Sequence, residues 1–198
     1  MTSLAQTILH SLEVLPEGGI ISPKEFLHLA SRAAVDQTLT RLTSEKKLMR
    51  VGRGTYVAPV SGRFGVRPPA AAKVVESMVE KTGEIVVPHG AAAANALGLT
   101  TQVPAKEVFV TSGRSRTLRS GSRVVEIKHV PGWQLALGSR PAGAAVRALS
   151  WLGPEHVKES IAKIRNNLSA SEWEAITASR AMLPSWMAKA VSEALPRG

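Results

Sequence analysis

Glu126 and Lys128 stand two residues apart in Val124-Val125-Glu126-Ile127-Lys128, a run whose β-branched residues predict a strand, so both side chains fall on one face. A metal-dependent nuclease of the PD-(D/E)xK type presents its final carboxylate and lysine in this way. Such a site also needs an upstream carboxylate that shares the metal. The single aspartate of the chain, Asp36, lies far upstream, so Glu84 or Glu107 would have to replace it. His89 and His129 have no metal-ligand spacing, and no serine has histidine and carboxylate partners in a recognisable motif. No catalytic residue, metal or cofactor is expected.

A second group of side chains suits recognition better than catalysis. Gln37 can offer its amide to adenine N6 and N7, and Arg41 can reach guanine or a phosphate, with Thr40 on the same side. Arg32, Arg50 and Arg53 can grip the sugar-phosphate backbone or the minor groove. Asp36 would repel phosphate unless it pairs locally.

The elements that must carry these residues are legible in residues 31–58, SRAAVDQTLTRLTSEKKLMRVGRGTYVA. At 100° per residue Val35, Leu39 and Leu42 form one stripe, while Ala33, Gln37, Thr40 and Ser44 point the other way, flanked by Asp36 and Arg41. Leu48 to Val51 and Thr55 to Ala58 read as strands joined through Gly52-Arg53-Gly54, whose glycines supply positive φ and leave Arg53 at the tip. Upstream, Leu4, Ile8, Leu12 and Leu15 give a first helix that Gly18-Gly19 ends. Ser22-Pro23-Lys24-Glu25 is a capping box with proline at the first position, opening a short second helix through Phe26, Leu27 and Ala30. Three helices and a two-stranded ribbon make a winged helix-turn-helix, whose third helix can enter a major groove. A helical protein-protein module is the alternative. Residue types suited to base edges favour double-stranded DNA.

Composition is compatible with that reading. The 198 residues carry 25 Lys and Arg against 15 acids, a net +10 that attracts polyanions and makes binding salt-sensitive. Residues 1–65 hold eight basic and five acidic groups (+3), residues 66–150 eleven and five (+6), and residues 151–198 six and five (+1), so the middle is the most basic. Arg114, Arg116, Arg119 and Arg123 dominate it, with no acid from Ser112 to Val125 to offset them. They predict an exposed loop or hairpin that extends the DNA surface or meets an acidic partner, the alternative being a solvated turn. The absence of cysteine excludes disulfides, thiol catalysis and cysteine-ligated zinc. No signal peptide or apolar run of membrane-spanning length is evident, so a cytoplasmic protein is expected.

Two domains are expected. Ser61-Gly62-Arg63-Phe64-Gly65 and Pro68-Pro69 read as a linker between a winged helix-turn-helix over residues 1–62 and a mixed α/β domain over residues 66–198. The second domain should open with a helix through Val74, Val75, Met78 and Val79, a strand at Ile85 to Val87 and a small-residue helix from His89 to Leu97. Strands at Val108 to Val110, around Arg116 to Leu118, and at Arg123 to Val130 should follow. A helical tail runs from Val146 to Leu195, with a capping box at Ser169-x-x-Glu172. The alanine tracts at residues 70–72 and 91–94 suggest close helix packing.

Three strings carry a resemblance: SRAAVDQTLTRL with KLMRVGRGTYV, GAAAANALGLTTQVP with the following VFVTSG, and AVRALSWLG with LPSWM. Together they resemble the AbiEi-like antitoxins of bacterial abortive-infection, type IV toxin–antitoxin systems. RVGRGTYV is common to many winged helices, whereas AANALGLTTQVP is the more distinctive piece. The resemblance implies an N-terminal winged helix that represses its own operon and a C-terminal domain that counters a nucleotidyltransferase toxin encoded alongside. A stand-alone transcriptional regulator and a degenerate nuclease are the other readings. Oligomeric state is not written in the sequence.

Overall fold

The computed structural model describes residues 3–63 and 65–194 and is mixed α/β, with helices and several small sheets. Phe64 of the expected linker and Leu195 at the end of the expected tail lie outside those residues. The chain forms two compact units, Met1–Glu84 with Arg116–Glu126, and Ile85–Ser115 with Ile127–Gly198. They do not follow the expected division at residues 62–66.

The first unit begins with α1 (Leu4–Glu13), where Ser3 accepts from the Gln6 N–H and the Gln6 side chain accepts from Ser3 in return. β1 (Ile20–Ile21) follows. The expected second helix is a single 3-10 turn, Pro23–Phe26, with Glu25 accepting from the Ser22 N–H at 2.6 Å. Phe26 is its one large buried side chain, while Leu27 and Leu29 stay exposed, so nothing draws the segment into a longer helix. α2 (Arg32–Ser44) starts on Ser31, whose hydroxyl accepts from the Ala34 N–H. It buries Val35, Leu39 and Leu42 fully against Ile8, Leu12, Ile21, Phe26, Leu48 and Tyr56. Each such side chain contributes about 1.5–3 kcal/mol, so this face fixes the orientation of the helix.

β2 (Met49–Gly52) and β3 (Thr55–Val57) form the expected hairpin, with β1 on the other side of β3 in the order β1-β3-β2. Ile20 pairs with Val57 and Arg50 with Tyr56, and a bulge falls between Arg50 and Gly52. Of the two turn glycines only Gly54 takes positive φ, at 65°.

The expected linker is instead structured. β4 (Val60–Gly62) and β5 (Gly65–Arg67) pair antiparallel, Val60 opposite Arg67. Pro69 is buried, and its carbonyl accepts from the Ser120 hydroxyl at 2.7 Å. α3 (Ala71–Thr82) then returns to the N-terminal elements: Ser77 Oγ accepts from the Ile20 N–H, and Lys81 Nζ donates to the Ile20 carbonyl at 2.8 Å and to Glu25 at 2.7 Å. Glu17 accepts from Arg67 at 3.0 Å and from the Ala70 N–H, and the arginine is the main reason its carboxyl lies below the usual range. Proline and glycine here shape a hairpin between neighbours in one core, so the helix expected to open a second domain closes the first.

In the second unit β6 (Val86–Pro88) pairs antiparallel with β7 (Glu107–Thr111), Val87 opposite Val110, and α4 (Gly90–Ala96) lies between them in sequence. β8 (Arg116–Ser120) and β9 (Arg123–His129) are neighbouring strands. β8 and the first part of β9 belong to the first unit, where β8 packs beside β2. The rest of the second unit is α5 (Pro141–Leu152), α6 (Val157–Asn167), α7 (Ala170–Ala178) and α8 (Ser185–Glu193). Their core includes Val146, Leu149, Ile161, Ile164, Ile176, Met187 and Val191. The expected close helix packing occurs where Ala93 and Ala94 of α4 bury against Ala148 of α5. A Cβ on Gly90 would stand 2.2 Å from the Arg147 carbonyl oxygen, so only glycine allows that approach. At α7 the Ser169 hydroxyl caps the Glu172 N–H, but Glu172 turns away to accept from Arg140 at 2.8 Å and from the Ala142 N–H at 2.8 Å. The expected box is thus half formed, its glutamate serving to join α7 to the start of α5.

Arg147 lies fully buried within α5. Its guanidinium donates to the carbonyls of Pro88 at 3.0 Å and Gly138 at 2.9 Å, and more distantly to that of Gln134. Burial lowers its pKa to about 10, which still leaves it charged at neutral pH. No helix among the described residues is long and apolar enough to cross a membrane.

Candidate nucleic-acid interface

The outward face of α2 follows from the inward one. With Val35, Leu39 and Leu42 sealed, Ala33, Gln37, Thr40, Arg41 and Ser44 are exposed. The Gln37 amide makes no hydrogen bond among the described residues and faces outward. Thr40 Oγ1 donates to the Asp36 carbonyl at 2.8 Å, which leaves its lone pairs and methyl outward. Arg41 lies 3.9 Å from Glu45, a loose contact, and Glu45 is held more closely by Lys47 at 2.8 Å. The Lys47 ammonium is what chiefly keeps the Glu45 carboxyl below the usual carboxylate range.

Arg32 differs from the expectation. Its Nε donates to Asp36 at 2.8 Å one turn along the helix, so the acid that would have repelled phosphate is neutralised and the arginine is partly occupied. On the hairpin Arg50 is exposed and its Nε donates to the Gly52 carbonyl at 3.3 Å, holding the side chain along the strand. Arg53 is exposed at the turn, its guanidinium unpaired. The first unit therefore presents Gln37, Thr40 and Arg41 on a helix, and Arg50 and Arg53 on the adjoining ribbon.

The four middle arginines do not form one surface. Arg114 is exposed in the second unit, whereas Arg116, Arg119 and Arg123 belong to the first. Arg116 is largely buried and forms a two-pronged pair with Glu84, while its Nε has no partner. It is a structural ion pair rather than part of an open basic loop, and the offsetting acid comes from beyond the local sequence. The same pair engages Glu84, one of the two candidates for the upstream carboxylate that metal-dependent cleavage needs. Arg123 is exposed and already engaged in an interaction of its own. Arg119 is exposed and, with Lys46, Met49, Arg50 and Val66, lines a groove of about 620 Å³ in the first unit. Among the described residues no three His, Asp or Glu side chains gather as metal ligands would.

Lys46 and Lys47 fall at the end of α2, where their sequence suggests charges that complement the helix dipole, but the left-handed turn made there was not foreseen. Lys46 has φ 58°, the only non-glycine residue with positive φ among the described residues. Its N–H donates to the Thr43 carbonyl and that of Lys47 to the Leu42 carbonyl, which is a Schellman motif with lysine where glycine is usual. Glu45-Lys46-Lys47 carries no residue that would announce this stop. Arg147, an arginine inside the apolar run Ala144 to Leu149, did carry a visible signal of a buried polar role.

No curated protein and no solved structure matches the chain. Residues 7–176, spanning both units, match the profile of DUF6088, a family of unknown function, and the chain belongs to that family.

Proposed function

We propose that the chain is a double-stranded-DNA-binding transcriptional repressor. In this reading α1, the 3-10 turn at Pro23–Phe26, α2 and the β2–β3 hairpin act as a winged helix-turn-helix. The observation that carries it is the outward face of α2, where Gln37, unbonded among the described residues, stands with Thr40 and Arg41 beside a ribbon bearing Arg50 and Arg53. α2 enters the major groove, Gln37 and Arg41 meet base edges, and Arg50 and Arg53 hold phosphates or the minor groove. The resemblance of residues 90–104 and the helical tail to AbiEi-like antitoxins supports a second duty of the same chain, countering a nucleotidyltransferase toxin from its own operon.

Binding to duplexes tiled across the chain's own promoter tests the first duty. Gln37→Ala should cost about 1–3 kcal/mol on the cognate duplex and little on a random one. Arg53→Ala should weaken both alike, with a shallower salt dependence. Equal losses for Gln37→Ala on both duplexes would remove base readout. Co-expression with the adjacent open reading frame tests the second duty, since a neighbour that is harmless without this chain would end the antitoxin reading.

A further inference from the structure

We propose that the groove beside the end of α2 binds a small organic anion with an apolar body, an aryl or short-chain aliphatic carboxylate. Met49, Val66 and Pro68 give it an apolar floor, and Val66 is 67% exposed, an uncovered apolar side chain on a strand. Lys46, Arg50 and Arg119 line it with positive charge, and no carboxylate does. Arg67 also lines it, but Glu17 neutralises that arginine from behind. At about 620 Å³ the groove has the size of small-molecule sites. A phosphodiester backbone would satisfy the cations and leave the apolar floor in water, whereas an apolar carboxylate satisfies both.

One consequence rests on the DNA reading above. Lys46 ends the proposed recognition helix and Arg50 lies on the ribbon, so an anion bound between them cancels charge that DNA would use, and the two ligands oppose one another.

Methyl-labelled methionine NMR on the full chain tests the site without any DNA, so failure of the DNA reading leaves this result standing. Met49 reports the groove, exposed Met182 reports nonspecific adsorption, and buried Met78 and Met187 report folding. Naphthalene-2-carboxylate should shift Met49 saturably and leave Met182 in place. The uncharged naphthalene-2-methanol should bind about tenfold more weakly, and so should the carboxylate to the Lys46→Gln/Arg119→Gln variant. No Met49 shift, an equal shift at Met182, or equal affinity for the alcohol would overturn the proposal. So would a Met49 shift produced by duplex DNA and not by the carboxylate, which would assign the groove to nucleic acid. If the double variant does not fold, the carboxylate-to-alcohol comparison on the unaltered chain decides alone.

Discussion

Replacing Lys46 by glycine should make the protein more stable while removing a cation from its candidate ligand groove. At φ 58° the β-carbon of an L residue crowds its own backbone, at a cost of roughly 1–2 kcal/mol. Glycine escapes that cost but has more freedom to lose on folding, about 0.4–1 kcal/mol. The difference favours Lys46→Gly by about 0.5–1 kcal/mol, or roughly 1–4 °C in Tm for a chain of this size. Lys46→Ala is the control. It removes the same charge and keeps the β-carbon, so relief of charge repulsion in a +10 protein cancels between the two variants, and what remains is backbone strain less the greater freedom glycine loses on folding. Thermal melts followed by circular dichroism at one pH and salt concentration measure the gap. If Lys46→Gly melts no higher than Lys46→Ala, strain at this position does not exceed the freedom glycine loses on folding, and the reasoning fails. If it melts higher and loses the naphthoate shift at Met49, stability and binding are traded against each other at one residue.

Arg147→Met should lower stability by about 3–5 kcal/mol, because the carbonyls of Pro88 and Gly138 would remain buried without donors; a loss under about 1 kcal/mol would show that those carbonyls find other partners. His89 accepts from the Ala91 N–H through Nδ1, and burial first, then the charge of Lys128, lower its pKa from 6.5. Its contribution is therefore present above pH 6.5 and is lost as pH falls from there through the lowered folded value. Melts taken from pH 7.5 to 5 should show less acid sensitivity in His89→Asn, and an unchanged slope would absolve this imidazole. Arg116→Gln should destabilise the fold by removing the guanidinium that pairs with Glu84, whereas Arg119→Gln should leave the melt within about 0.5 kcal/mol; equal melts for the two would return them to one solvated turn.

What the sequence displayed was governed by local periodicity. The buried stripe of α2, the β2–β3 hairpin, the alanine contact of α4 with α5 and the helices from α5 to α8 rest on spacings of two to four residues, and they stand where those spacings put them. The 3-10 turn was harder to foresee because its capping signals are those of a helix, and only its exposed Leu27 and Leu29 reveal the missing partner. What stayed hidden depends on contacts between distant residues. Two-residue β1 has no periodicity to display. Ser77 with Ile20, Lys81 with Glu25 and Ser120 with Pro69 all join residues more than fifty apart, and they are what turn an apparent linker into the middle of a unit. The candidate interface divides likewise. Its outward face on α2 could be read once the inward one was known, whereas the withdrawal of Arg116 by Glu84 and the presence of Arg119 beside Arg50 needed the fold.

This rearrangement changes where the charge is. Cut in sequence at residue 65, the part bearing α2 holds +3 and the adjoining middle +6. Once α3 and residues 116–126 are counted with α2, the first unit has fourteen basic and nine acidic groups, +5, and the second eleven and six, also +5. The basic middle is therefore divided: six of its basic and four of its acidic groups (+2), Arg119 and Arg123 among them, join the unit that carries Gln37 and Arg53, and five basic and one acidic (+4) stay in the second. Within that unit the arginines and lysines nearest the acids are already matched: Arg32 with Asp36, Arg67 with Glu17, Lys81 with Glu25 and Arg116 with Glu84. Cations left with room for a polyanion include Arg41, Arg50 and Arg53 on the helix and ribbon, with Lys46 and Arg119 at the groove. In the proposed DNA reading net charge draws nucleic acid from a distance and these side chains decide which face meets it, and an organic anion in the groove would act on the three of them that line it, Lys46, Arg50 and Arg119.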